Sequence, residues 1–74
     1  MNFEIQYEIE DDGRWIAEIE AIPGVLAYGS NKEEASTKVI SLALKVLSER
    51  IESENKLTEY SNINFAFAWV TGIV

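Results

Sequence analysis

The chain contains no cysteine and no histidine. Those two absences exclude disulfides, thiolate nucleophiles and every metal site that needs cysteine or histidine, and they remove the base that nucleophilic hydrolases most often use. Cationic residues are scarce as well: 6 Lys and Arg stand against 13 Asp and Glu, for a formal net charge of -7. A surface this acidic is repelled by phosphates, so direct nucleic-acid binding is not expected. There is no basic N-terminal stretch leading into an apolar core. The longest apolar run near the end, Phe65 to Val70, falls far short of the ~20 residues that span a bilayer. A cytoplasmic protein without membrane contact is expected.

What is present suits one globular domain over residues 1–74, with 47% hydrophobic and 26% charged residues. A chain this short hides only about 60% of its unfolded surface on folding, so small domains usually add a disulfide, a metal or a partner subunit. With the first two excluded or unsupported, self-association as a homodimer or larger is the expected supplement.

The segment Asn2 to Glu10 alternates strictly, with Phe3, Ile5, Tyr7 and Ile9 on one side and Glu4, Gln6, Glu8 and Glu10 on the other. That is a half-buried strand with an acidic outer face. Asp11-Asp12-Gly13 follows as a hairpin signal, since glycine supplies positive φ. A second strand is expected from Arg14 to about Ala21, with Trp15, Ala17, Ile19 and Ala21 inward and Ile16, Glu18 and Glu20 outward. Pro23 and Gly24 make the next turn, and a short apolar strand runs from Val25 to Tyr28. Gly29 ends it. Asn31 with Glu34, or Ser30 with Glu33, forms a capping box that opens a helix from Lys32 to about Glu54.

Along that helix Ala35, Val39, Leu42, Ala43, Val46, Leu47 and Ile51 form one apolar stripe, widened by Ile40 and Leu44. A face so wide suggests cover from another subunit. Asn55 to Asn62 is turn-like, and a last strand is expected from Ile63 to about Val70 with apolar residues on both faces. The order is β-β-β-α-β in the α+β class, a small antiparallel or mixed sheet with one long helix on one face. The two-sided strand places an oligomer interface at Phe65, Phe67, Trp69 and Val70.

The reactive groups are carboxylates. Glu4, Glu8, Glu10, Glu18 and Glu20 can share one sheet surface, which would be a partner-binding acidic face or a solvated face that keeps the sheet soluble. A Mg²⁺-dependent phosphoesterase using Glu4, Glu8, Glu18 or Glu20 is the enzyme alternative, but no Asp-x-Asp or calcium-loop spacing supports it. No catalytic residue, metal ligand or cofactor is assigned. Gly13, Gly24, Gly29 and Gly72 are too scattered for a phosphate loop. Trp15 and Trp69 are read as core or interface.

The run Asp11-Asp12-Gly13-Arg14-Trp15-Ile16-Ala17-Glu18-Ile19, then Ile22-Pro23-Gly24 and Tyr28-Gly29-Ser30-Asn31-Lys32-Glu33-Glu34-Ala35, resembles the HicB-type antitoxin family and its short HicB-like relatives. The ordered set covers roughly residues 3 to 50, with Ile22 where Leu is usual and Val25 where a small residue is common. The resemblance implies a partial ribonuclease-H-like fold without the nuclease site, the last strand lying beside the first. It implies an antitoxin-like module that oligomerises and neutralises a small basic RNA-cleaving toxin of the HicA-like kind. An orphan structural or regulatory oligomer is the alternative. The family's DNA-binding segment has no counterpart up to Val74, so no direct operator contact is expected.

Overall fold

The computed structural model describes residues 2–54 and 63–72, with the backbone alone for 67–72. The elements follow in the order β1 (Asn2–Ile9), β2 (Trp15–Glu18), β3 (Leu26–Gly29), α1 (Lys32–Glu54) and β4 (Asn64–Gly72). The strands form one sheet in the order β3-β2-β1-β4. β1 with β2 and β2 with β3 are antiparallel, while β1 and β4 are parallel. The sheet is therefore mixed, and the last strand lies beside the first.

Period-two patterning places β1 as expected: Phe3, Ile5 and Tyr7 are buried, while Glu4 and Glu8 are exposed. The hairpin to β2 is a three-residue loop closed by Glu10 N–H to the Arg14 carbonyl and Gly13 N–H to the Glu10 carbonyl, at 2.8 and 2.9 Å. Gly13 has φ 87, the left-handed conformation that this loop requires and that a side chain resists.

β2 is shorter than the alternation suggests. It ends at Glu18, and the chain then turns so that Ile19, Ile22 and Val25 are all buried. Three backbone bonds join these residues to one another: Ile19 N–H to Val25, Ile22 N–H to Ile19, and Val25 N–H to Ile22. The spacing of three displaces the expected inward Ala21 to solvent and brings Ile22 in its place. Gly24, at φ 83, completes the reversal.

The helix begins as its cap predicts. Asn31 Oδ1 accepts from Glu34 N–H at 2.8 Å. Glu34 Oε1 reaches back one residue further than a simple capping box and accepts from Ser30 N–H at 3.1 Å. The helix packs Ala35, Val39, Ala43 and Leu47 against the inner face of the sheet, forming a core with Phe3, Ile5, Tyr7, Ala17, Ile19, Ile22 and Val25. Each large apolar side chain in that core stabilises the fold by about 1.5–3 kcal/mol relative to exposure.

Small residues set the close approach at the helix start. A Cβ on Gly29 would lie 2.5 Å from the Ala35 nitrogen, so strand and helix backbones meet there without a side chain between them. One polar residue enters this interface: Ser36 is buried among apolar neighbours. Its Oγ lies 2.5 Å from the Tyr7 hydroxyl and donates to the Lys32 carbonyl at 2.7 Å, so the tyrosine hydroxyl is the donor to Ser36.

β4 is an edge strand with the helix on one side of the sheet only. Phe65 packs its ring 5.8 Å from Phe3 and is half-buried, while Ala66 on the other face is exposed. The burial on both faces expected for this strand is thus not met at Ala66 within one chain, because among the described residues no second layer covers the open face.

Candidate partner-binding surface

Among the described residues no element covers the face of the sheet turned away from α1. Cross-strand register arranges it in rows: Glu8 faces Ile16, which faces Tyr28, and Gln6 faces Glu18, which faces Leu26. Glu4 faces Ala66. Within these pairs no carboxylate stands directly opposite another, the placement that like charges would disfavour. The Gln6 side chain donates to Glu4.

The apolar part of this face is exposed. Leu26 is 40% and Tyr28 42% accessible, and with Ile16 they form the floor of a shallow hollow bordered by Gln6, Glu8, Glu18 and Glu20. The combination is a small apolar floor inside an acidic rim.

One cation overlooks it. Arg14 stands with its guanidinium carbon 4.8 Å from the centre of the Tyr28 ring. Asp12 holds it there, accepting from Arg14 N–H at 3.0 Å and from Arg14 Nε at 2.8 Å. The Arg14 backbone N–H, followed by the guanidinium, draws the Asp12 carboxyl below the usual carboxylate range. The Glu34 carboxyl is lowered in the same way by Ser30 N–H and by Lys38, which lies 3.3 Å away. Tyr7 moves in the opposite direction, raised by burial and partly offset by its bond to Ser36.

Of the five acidic residues anticipated on this surface, Glu4, Glu8 and Glu18 lie on strands facing out, and Glu20 follows β2 and borders the hollow. Glu10 lies past the end of β1, half-buried beside Asp11, Asp12 and Arg14 at the hairpin. Among the described residues no group of three or more carboxylates converges to hold a metal ion, so the phosphoesterase alternative finds no ligand cluster. The turn residues Asp12, Gly13, Pro23, Gly24, Gly29, Asn31 and Glu34 sit in the connections between elements, apart from Gly29, which ends β3, and Glu34, in the first turn of α1. Phe65 is half-buried; the side chains of Phe67, Trp69 and Val70 lie outside the described residues, and register places Phe67 opposite Ile5 and Val70 opposite Tyr7.

Two features were not singled out from the sequence. The outward Leu26 and Tyr28 are legible only once β3 is paired, because an isolated four-residue apolar run does not say which face is covered. Ser36 left a fainter signal, a hydroxyl next to Ala35 on the inner helix stripe.

The chain matches no family model, no curated protein and no solved structure. No described helix is long and apolar enough to cross a membrane.

Proposed function

We propose that the chain is a HicB-like protein-interaction module that self-associates and receives a small basic protein, of the RNA-cleaving toxin kind, on the open face of its sheet. The observation that carries this reading is the apolar floor of Ile16, Leu26 and Tyr28 inside the rim of Glu8, Glu18 and Glu20. The carboxylates steer a cationic partner and disfavour an acidic one, while burial of the floor supplies the non-directional part of the affinity. An RNA-cleaving protein presents cations where it holds phosphates, so an acidic face that occupies those cations competes with RNA.

The test uses the purified chain and any short basic protein encoded beside it. Capture at low salt should fall steeply as salt rises, and Glu8→Lys with Glu18→Lys should abolish both capture and protection of RNA from cleavage. Equal capture by the charge-reversed chain, or none by the parent at low salt, would overturn the reading.

A further inference from the structure

The outer edge of β3 differs from the rest of the strand surface. Ile19 N–H donates to the Val25 carbonyl at 3.0 Å. In an antiparallel ladder the bonded pairs recur at every second residue, so Ala17 with Ala27 and Trp15 with Gly29 are the next bonded pairs along the register. Leu26 and Tyr28 therefore turn their N–H and C=O groups away from β2. β3 ends the sheet, so these four groups face outward beside the exposed side chains of the same two residues.

Sheet edges are usually protected by lysine, proline or a bulge, because unpaired backbone groups template the pairing of another strand. The strand Leu26-Ala27-Tyr28-Gly29 is guarded by its shortness alone: it has no lysine, proline, bulge or charge. In a molecule of net charge -7 it is a neutral, apolar edge with open hydrogen-bonding capacity.

We infer that β3 is the edge along which a second copy of this chain pairs, antiparallel across a two-fold axis at Ala27. The inference rests on the self-association in the proposed function and names for it the edge opposite β4, the strand on which the sequence pattern predicts the interface. Two-fold pairing sets Leu26 opposite the partner's Tyr28 and Tyr28 opposite the partner's Leu26, which satisfies all four backbone groups in each strand and buries the two apolar side chains against each other. Ala27 meets its own copy in the close, non-hydrogen-bonded position, where a small side chain fits.

Charge on the paired strands does not oppose a copy. By register the Glu18 positions of two paired chains are three strand spacings apart and offset by two residues, about 16 Å, beyond the screening length of about 8 Å at physiological salt. The strand itself carries no charge, so two copies paired along it bring no like charges face to face. Four residues a side make a small interface, so the association is weak and depends on concentration.

The experiment follows the full chain by sedimentation and by residue-resolved amide exchange, from micromolar to millimolar concentration. The expected result is a dimer at the upper end, with the Leu26 and Tyr28 amides slowing as it forms, while the Ala27 and Gly29 amides, bonded within the chain, are slow throughout. Leu26→Lys, at an exposed position, should keep the circular dichroism of the fold and lose the dimer. A dimer in which the Leu26 and Tyr28 amides stay fast overturns the β3 assignment and leaves self-association standing. A monomer at millimolar concentration overturns both. Protection that appears only on adding the basic partner overturns the second copy as occupant.

Discussion

Gly29→Ala tests the closest backbone contact in the fold. The new Cβ would lie 2.5 Å from the Ala35 nitrogen and 3.0 Å from the Ala35 Cα and the Glu34 carbonyl carbon. All three atoms are backbone in the first turn of the helix, so no side chain can rotate away. Ordinary contact begins near 3.4 Å, which requires β3 and the start of α1 to separate by roughly 0.9 Å. Overpacking of this kind costs about 1–3 kcal/mol, with a backbone clash towards the upper end. Against it, replacing glycine removes about 0.4–1 kcal/mol of unfolded-state entropy, because Gly29 is not at positive φ. The net loss is about 2 kcal/mol, which for a domain of this size lowers the midpoint of thermal unfolding by roughly 8–16 °C. Circular dichroism against temperature measures it, with urea unfolding to check that the m-value is unchanged. Gly13→Asn is the control, since Gly13 has φ 87 with nothing within 4 Å of an added Cβ, and asparagine tolerates that conformation. A Gly29→Ala protein that melts no lower than Gly13→Asn would refute the close-approach argument.

Ser36→Ala removes the acceptor of the Tyr7 hydroxyl in a buried interface and should cost about 1–2 kcal/mol; in a cycle with Tyr7→Phe the two losses should miss additivity by about 0.5 kcal/mol or more. Strict additivity in urea titrations would show that the two hydroxyls are not coupled. Asn31→Ala should cost about 1 kcal/mol while Asn31→Ser keeps most of the stability, because the cap needs only a side-chain oxygen; equal midpoints for the two variants would count against the cap. In acid, Asp12 and Glu34 titrate below their unfolded values, so their stabilisation is present above the ordinary carboxylate range and is lost as pH falls through the lower folded values. Glu34→Gln should flatten part of that acid limb, and an unchanged pH profile would contradict it. Tyr7 has the opposite sign: stability holds below its ordinary value of about 10 and declines above it, where the unfolded chain loses the proton first, and Tyr7→Phe should remove that decline from alkaline melting curves.

The extent to which this fold is legible in its residues varies along the chain for physical reasons. β1 and α1 are long enough for several periods of their pattern, and the patterns name the buried residues correctly: Phe3, Ile5 and Tyr7 in the strand, Ala35, Val39, Ala43 and Leu47 in the helix. Asp12-Gly13 and Asn31-Glu34 are local devices whose hydrogen bonds are made within a few residues, so they too can be read in isolation. β2 could not be bounded this way. Ile19 satisfies both the strand's period of two and the turn's spacing of three, and only the bonds among Ile19, Ile22 and Val25 decide where one pattern stops. The acidic face was legible as alternation, but its arrangement was not. Register pairs Glu8 with Ile16 and Glu18 with Gln6, a choice made by the hairpin and invisible in either strand alone. Leu26 and Tyr28 lie on the edge for a similar non-local reason: they are outermost because β4 joined the sheet beside β1 instead of beside β3.

That choice of neighbour has a consequence for how the chain folds. Asn2 sits opposite Asn64, so one side of β1 can be paired only after β4 has been made. Until then β1 belongs to a meander of β1, β2 and β3 held by short connections, and closing the sheet with β4 is the step of highest sequence separation and greatest loop entropy. Folding rates should therefore respond to substitutions in the β1–β2 hairpin, whereas Phe65 variants should act mainly on unfolding; the reverse in stopped-flow measurements would place β4 in the nucleus. During synthesis the growing chain carries a strand with one half of its ladder open, and the acidic residues that alternate along β1 put charge beside that open edge, which disfavours its pairing with another chain.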